Sequence, residues 1–272
     1  MLVAYKRTGS TFLGDLLGRR ADVFYWYEPL AKGRVRNYFK ERNLLFYVLC
    51  SIPEVWKPFV DCFKRKDESC AQVLQDSCKH SEHRMVKILR IDVKSVGSML
   101  ETNPRLKMVL LFRDPRGSMN SRLTTAFYQK YVRNISQISN NADMLCSRMR
   151  ADMSAGKKLK IKYPGRVILL QYEDLDDSEN KLNKLYDFLN IEPPKQRTVT
   201  VVKNGEHVND KPAGFHPFSY RHEMPFHVNQ IMNAHCSDIY KKLGLRKFEN
   251  EDNYKNDKIS VIVNKLPFAI LP

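Results

Sequence analysis

The sequence predicts one α/β domain built on a largely parallel sheet, and three observations carry that expectation. Short apolar runs alternate with segments of helical period along most of the chain. Lys107 leads into Met108-Val109-Leu110-Leu111-Phe112, an unbroken apolar run of the kind that a parallel sheet buries on both faces. The length of 272 residues, with 43% hydrophobic and 28% charged residues, suits a folded chain with one substantial core. There are no internal repeats and no low-complexity linker. The expected organisation is a domain over residues 1–248, interrupted by a variable insertion at 50–82, and a tail at 249–272.

Taken in order, Leu2-Val3-Ala4-Tyr5 reads as a buried strand. Phe12, Leu13, Leu16 and Leu17 then recur at helical spacing, so a helix follows at once. Val23-Phe24-Tyr25-Trp26-Tyr27 is a second β-prone run, ended by Glu28-Pro29, and residues 36–48 read as helix. The stretch 50–82 has no convincing periodicity. Met85 to Arg90 is a strand candidate, and Asp92 is placed to cap a helix reaching about Leu100. After the apolar run at 107–112, Pro115 opens a helix. A long helix is expected over about 137–160, a strand at Val167-Ile168-Leu169-Leu170, and a helix near 178–190. A last helix over about 224–243 ends at Leu243-Gly244, a usual stop signal.

Charge narrows the partners. Forty-six basic residues against 30 acidic ones give a net charge of +16, which calls for an anionic partner: nucleic acid, acidic membrane, polyanionic glycan or a multiply phosphorylated small molecule. No run of eighteen apolar residues exists to span a membrane. A core strand so close to Met1 leads us to expect upstream sequence, an anchor and stem, beyond this chain. The six cysteines, Cys50, Cys62, Cys70, Cys78, Cys146 and Cys236, contain no CxxC pair and match no zinc spacing. They fit two readings equally, disulfides of an oxidising compartment or buried free thiols. Asn134-Ile135-Ser136 is the only N-x-[ST] sequon. The seven histidines show no ligand spacing, and no metal cluster is expected.

Three charged turns fall at expected carboxyl ends of strands, where parallel α/β sheets bind ligands. The first, Arg7-Thr8-Gly9-Ser10-Thr11-Phe12, joins a strand to a helix over a glycine, two hydroxyls and a fixed cation. Backbone N–H groups and the positive helix end point to an anion site there, although an ordinary connection capped by Ser10 has the same pattern. It is not the nucleotide-triphosphate loop, since the second glycine and the lysine of GxxxxGK[ST] are absent. The second turn is Glu28-Pro29. The third carries Arg113 and, eight residues on, Ser121, a cation and a hydroxyl able to grip one phosphate. Alternatively, Arg113 pairs with Asp114 or Asp174. Glu173 and Asp174 read as structural caps or pairs.

At these residues the chain resembles a known family. Lys6 to Gly14 looks like the 5′-phosphosulfate loop of the Golgi carbohydrate sulfotransferases, and Val23 to Leu30 continues the likeness. Leu110 to Arg122 looks like their 3′-phosphate motif, while Tyr172-Glu173-Asp174-Leu175 and Leu185 to Leu189 resemble their fourth strand and following helix. The helix from Cys236 to Gly244 is similar to their C-terminal end. Tyr220-Arg221 stands where many members have Trp-Arg, and the segment 50–82 resembles no particular branch. The order is kept over roughly residues 1–245, and the branch most similar is the one that sulfates the 6-hydroxyl of galactose, N-acetylglucosamine or N-acetylgalactosamine.

The resemblance implies a P-loop-like three-layer fold with a central, mostly parallel sheet and the co-substrate 3′-phosphoadenosine-5′-phosphosulfate (PAPS), without a metal. It implies that Arg7 faces the 5′-phosphosulfate, that Thr8, Gly9, Ser10, Thr11 and Phe12 wrap it, and that Arg113 and Ser121 hold the 3′-phosphate. Glu28 becomes the catalytic base and Arg7 a stabiliser of charge. The rings of Tyr25, Trp26 and Tyr27, with Pro29, are expected to desolvate Glu28 and raise its pKa. The implied acceptor is a sugar hydroxyl in a keratan- or chondroitin-like glycan, free polysaccharide or glycoprotein, with no nucleic acid partner. The implied setting is the Golgi lumen, with a type II anchor outside this chain. Two rival readings are a small-molecule kinase of P-loop ancestry and a non-catalytic basic glycan-binding domain. The first lacks GK[ST] and an evident magnesium carboxylate. The second does not need Arg7, Glu28, Arg113 and Ser121 together.

Overall fold

The computed structural model describes residues 1–18, 20, 22–28, 50, 69–89, 91–175, 179–193, 201–203, 206–208 and 216–264. The helix expected at 36–48, Pro29, Cys62 and the last eight residues lie outside them. The described residues form two compact units, Met1–Ala4 with Ser10–Val109, and Tyr5–Gly9 with Leu110–Pro272.

The chain opens with β1 (Leu2–Ala4), α1 (Ser10–Gly18) and β2 (Val23–Tyr27). It continues through α2 (Ser69–His80), β3 (His83–Ile88), a 3-10 turn at Val93–Ser95, α3 (Val96–Thr102) and β4 (Met108–Phe112). Then come α4 (Pro115–Thr124), α5 (Ala126–Gln129), the long α6 (Ile135–Lys162), β5 (Val167–Gln171) and a 3-10 turn at Tyr172–Leu175. Helix α7 (Glu179–Leu189), the paired strands β6 (Val201–Lys203) and β7 (Glu206–Val208), α8 (Tyr220–Glu223), α9 (Phe226–Lys242) and α10 (Glu251–Lys255) follow among the described residues.

The main sheet has the order β2-β3-β1-β4-β5, with parallel β2–β3 and β3–β1 ladders. The α/β expectation therefore holds. All residues of β1, β4 and β5 are buried, as continuous apolar strands in a covered parallel sheet must be. The order reverses at β1, which has β3 on one side and β4 on the other.

In the unit holding β1 to β3, Gly14 and Gly18 lie one turn apart on α1 and receive the ring of Tyr25 from β2. A β-carbon at Gly14 would stand 2.1 Å from the Tyr25 hydroxyl oxygen, and one at Gly18 would stand 2.7 Å from its ring. Helix α2 falls where the sequence shows no apolar period. It is a polar helix, held by the Gln72–Asp76 side-chain bond at 2.8 Å and anchored by buried Cys78, which is disulfide-bonded to Cys50. Local bonds and a covalent tether replace the apolar stripe that a periodicity search needs.

In the other unit, α6 and α9 pack side by side and are joined by the Cys146–Cys236 disulfide. Both bridges resolve the cysteine question for these four residues in favour of disulfides. Asp114 caps α4 by accepting the Arg116 N–H at 2.9 Å, with Pro115 in the first turn as expected. Residues 249–264 fasten onto α8 through Arg221. Its guanidinium donates to the carbonyls of Asn253, Tyr254, Asn256 and Ile259. Gly244 takes φ 65° after α9, the left-handed stop its sequence announces. Strands β6 and β7 pair antiparallel, with Val201 opposite Val208 and Lys203 opposite Glu206.

The Cys146–Cys236 bridge closes a loop of sequence separation 90. Replacing both cysteines with serine is expected to lower unfolding free energy by about 2–4 kcal/mol, read from urea denaturation. An unchanged midpoint would show that the α6–α9 contact needs no covalent constraint.

Candidate active site

Two clusters of polar residues lie at the ends of these strands, one in each unit. The first is built on the turn after β1. Tyr5 anchors the turn by donating its hydroxyl to Asp152 at 3.0 Å, and its ring lies 5.7 Å from that of Phe112. Burial and the Asp152 carboxylate push the Tyr5 phenol well above its usual pKa, so it stays a donor. Thr8 is buried and returns its hydroxyl to the Tyr5 carbonyl at 2.9 Å. Arg7 and Gly9, on either side of Thr8, have φ of 71° and 79°. An arginine in this left-handed region costs of order 1–3 kcal/mol, and such residues concentrate at functional sites. The turn needs glycine at position 9 for a second reason: a β-carbon there would stand 2.0 Å from the Tyr172 ring.

Arg113 leaves the end of β4 and joins the same turn. Its Nη1 donates to the Arg7 carbonyl at 3.2 Å, and its guanidinium lies over the Tyr172 ring at 4.6 Å. Its Nε is buried without a hydrogen-bond partner among the described residues, packed above Gly117, where a β-carbon would stand 2.9 Å away. Arg7 in turn donates its Nε to the Ser121 hydroxyl at 2.8 Å. Arg7 and Gly9 therefore converge with Arg113 and Ser121, more than a hundred residues further along the chain.

The alternative partner of Arg113 is taken elsewhere. Asp114 and Arg116 are both fully buried and form a bidentate pair, with Nη2 to Oδ2 at 2.8 Å. The Tyr220 hydroxyl adds a bond to Asp114 at 2.7 Å. Glu173 caps the strand end as anticipated: its Oε1 accepts the Asp114 N–H at 2.9 Å. Burial, with the Asp114 charge beside it, pushes the Glu173 carboxyl up to about 7.

The second cluster lies in the unit of β1 to β3. Glu28 follows β2 with φ 44°, another left-handed non-glycine residue. Its carboxylate meets the ammonium of Lys87 at 3.1 Å. Lys87 is fully buried; it also donates to the Thr11 hydroxyl at 2.9 Å and lies 3.9 Å from the centre of the Tyr27 ring. Thr11 and Tyr27 share a longer hydroxyl contact at 3.4 Å. A ring of aromatic side chains around Glu28 is thus an incomplete description, because a buried cation faces the carboxylate directly. The β2–β3 register, with Tyr27 opposite Lys87, imposes this meeting.

The sequence reading missed Lys87 and Tyr172. A lysine between Val86 and Ile88, inside an otherwise apolar strand, is the signal for the first, because a buried ammonium requires partners. Nothing local marks Tyr172, whose role comes from contact with Gly9 and Arg113. Of the other expected wrapping residues, Ser10 is buried at the start of α1 and Phe12 is half-buried. Among the described residues, Asp22, Glu82 and His83 bring ligand atoms within 4.8 Å of one another, but Asp22 is paired with Arg20 at 2.8 Å and Glu82 is exposed.

Two arginines gathered with a serine hydroxyl on one turn are the kind of group that binds an anion. The sequence matches the sulfotransferase domain family over residues 1–238, and the chain belongs to that family. Carbohydrate sulfotransferase 1 of Danio rerio is 24% identical, over 98% of this chain and 83% of that protein. Carbohydrate sulfotransferase 3 of Mus musculus is 23% identical, over 99% and 72%. Carbohydrate sulfotransferase 5 of Homo sapiens is 22% identical, over 96% and 80%. The chain is a sulfotransferase enzyme.

Gly9→Ala is expected to cost more than about 1 kcal/mol from backbone strain alone, with a further penalty from displacement of the Tyr172 ring. Thermal unfolding would show the loss. A variant as stable as the parent would mean that Tyr172 does not close on the turn.

Proposed function

We propose that the chain transfers a sulfuryl group from PAPS to a hydroxyl of a carbohydrate. The observation that carries the donor assignment is the convergence of Arg7, Arg113 and Ser121 on the turn after β1. A buried guanidinium nitrogen without a hydrogen-bond partner among the described residues and a glycine at a point of close approach suit a donor with phosphates at both its 5′ and 3′ positions. Arg7, Thr8, Gly9, Ser10, Thr11 and Phe12 would wrap the 5′-phosphosulfate. Arg113 and Ser121 would hold the 3′-phosphate. The Thr8 hydroxyl, engaged with Tyr5, serves the turn's shape, which leaves its backbone for the ligand.

The bound donor supplies the sulfuryl group and leaves as the 3′,5′-bisphosphate. Arg7 stays cationic and stabilises charge on the leaving phosphate, since its guanidinium is too basic to give up a proton. Glu28 takes the proton from the acceptor hydroxyl late in transfer. Lys87 fixes the Glu28 carboxylate and the Thr11 hydroxyl together, so the base is positioned by a buried cation. Sulfuryl transfer then depends on alignment and electrostatics more than on covalent participation by the protein.

The names of the relatives, carbohydrate sulfotransferases 1, 3 and 5, support a sugar acceptor. The finer reading is the 6-hydroxyl of galactose, N-acetylglucosamine or N-acetylgalactosamine in a keratan- or chondroitin-like chain. The +16 charge would help retain such a polyanion. The Golgi lumen is the matching location; no described helix is long and apolar enough to cross a membrane.

Calorimetric titration with 3′-phosphoadenosine-5′-phosphate should show binding much tighter than to adenosine 5′-phosphate. Arg113→Ala is expected to weaken the former by about ten- to a hundredfold, the value of a charge-assisted bond. Equal affinity for the two nucleotides would overturn the 3′-phosphate assignment. Glu28→Gln is expected to lower kcat for sulfate transfer by about 10²- to 10⁴-fold with nucleotide binding intact. Unchanged transfer in that variant would remove Glu28 as the base.

A further inference from the structure

Glu173 is a buried carboxyl that the transfer chemistry above does not use. One oxygen accepts the backbone N–H of Asp114, the residue that follows Arg113; the other is buried without a hydrogen-bond partner among the described residues. The residue before it, Tyr172, supplies the ring under the Arg113 guanidinium and against Gly9. Glu173 therefore holds both ends of the Arg113 setting, the backbone from which the arginine departs and the platform on which it rests.

We propose that Glu173 is a positioning residue for Arg113, and that its charge is coupled to occupancy of the phosphate position Arg113 serves. This rests on the assignment of Arg113 to the 3′-phosphate. The groups facing Glu173 are Asp114, whose charge opposes its ionisation, and Arg113, whose charge favours it. The Asp114 charge is itself shared with Arg116 and the Tyr220 hydroxyl, and the Tyr172 phenol adjoins on the same turn. With the carboxyl free to ionise near neutrality, an unliganded Arg113 has a counter-charge. A phosphate dianion brought to Arg113 competes for that cation and disfavours the Glu173 anion. Binding then raises the affinity of Glu173 for a proton, and by linkage lower pH favours the nucleotide. Glu173 gives the site a proton-dependent hold on the donor.

The sign follows directly. The free-state carboxyl titrates at about 7, and the bound state titrates higher. Affinity is therefore full below the free-state value and falls as pH rises through the interval between the two. A one-unit rise on binding weakens the nucleotide by about fivefold between pH 6 and pH 8.

The test is titration of the whole chain with 3′-phosphoadenosine-5′-phosphate at pH 6, 7 and 8, in the parent and in Glu173→Gln, which keeps size and an acceptor oxygen but cannot ionise. The parent should lose about fivefold more affinity over this range than the variant, because titration of the ligand's own phosphates is common to both. Superimposable pH profiles would overturn the proposal, as a merely structural role would shift thermal stability without altering the profile. Should Glu173→Gln fail to fold, proton uptake by the parent at pH 8, measured in buffers of different ionisation enthalpy, decides. The ligand phosphates are ionised there, so uptake supports the coupling and its absence overturns it. Failure of the underlying assignment looks different: the parent would then bind adenosine 5′-phosphate as well as the bisphosphate at every pH.

Discussion

The turn after β1 depends on one close approach, the Tyr172 ring lying where a side chain at position 9 would stand. Because residue 9 is glycine, the ring reaches the backbone and offers its face to Arg113. Arg113 then reaches the Arg7 carbonyl, and Arg7, in its left-handed conformation, reaches Ser121. Two cations are gathered on one turn and held by hydroxyl, carbonyl and ring contacts. Such an arrangement stores unfavourable electrostatic and backbone energy, which the anion proposed for this turn would relieve.

Neutralisation elsewhere makes this possible. Asp114 is the nearest carboxylate in sequence to Arg113, yet it is turned into the interior and satisfied by Arg116 and Tyr220. Arg116, fully buried, also donates to the Arg246 carbonyl and lies over the Tyr240 ring. A buried pair with these extra bonds is well compensated, while loss of either partner would leave a naked charge in the core. The residues C-terminal to α9 therefore help hold Asp114 in the interior. Their importance is structural and electrostatic, with no contact to the ligand required.

In the other unit a second buried cation sets the geometry. Lys87 has no access to solvent, so Glu28, Thr11 and the Tyr27 ring must supply the stabilisation that water would give. A carboxylate assigned as base is thereby fixed by strand register, and its left-handed backbone is part of the same constraint. The sequence led us to expect apolar desolvation from the neighbouring rings. The packed strands add a counter-ion there.

The strands at 2–4, 23–27 and 108–112, the helix start at Pro115 and the stop at Gly244 were legible in the amino acids, because apolar period, proline and glycine act locally. So were the candidate residues Arg7, Glu28, Arg113 and Ser121, as residue types at expected strand ends. Helix α2 was not, since polar bonds and a disulfide sustain it in place of an apolar stripe. Nor were the roles of Tyr172 and Lys87, or the choice of Asp114 for Arg116 over Arg113. These depend on contacts between residues far apart in the chain, fixed by strand order and register, and only folding brings such groups within a few ångströms.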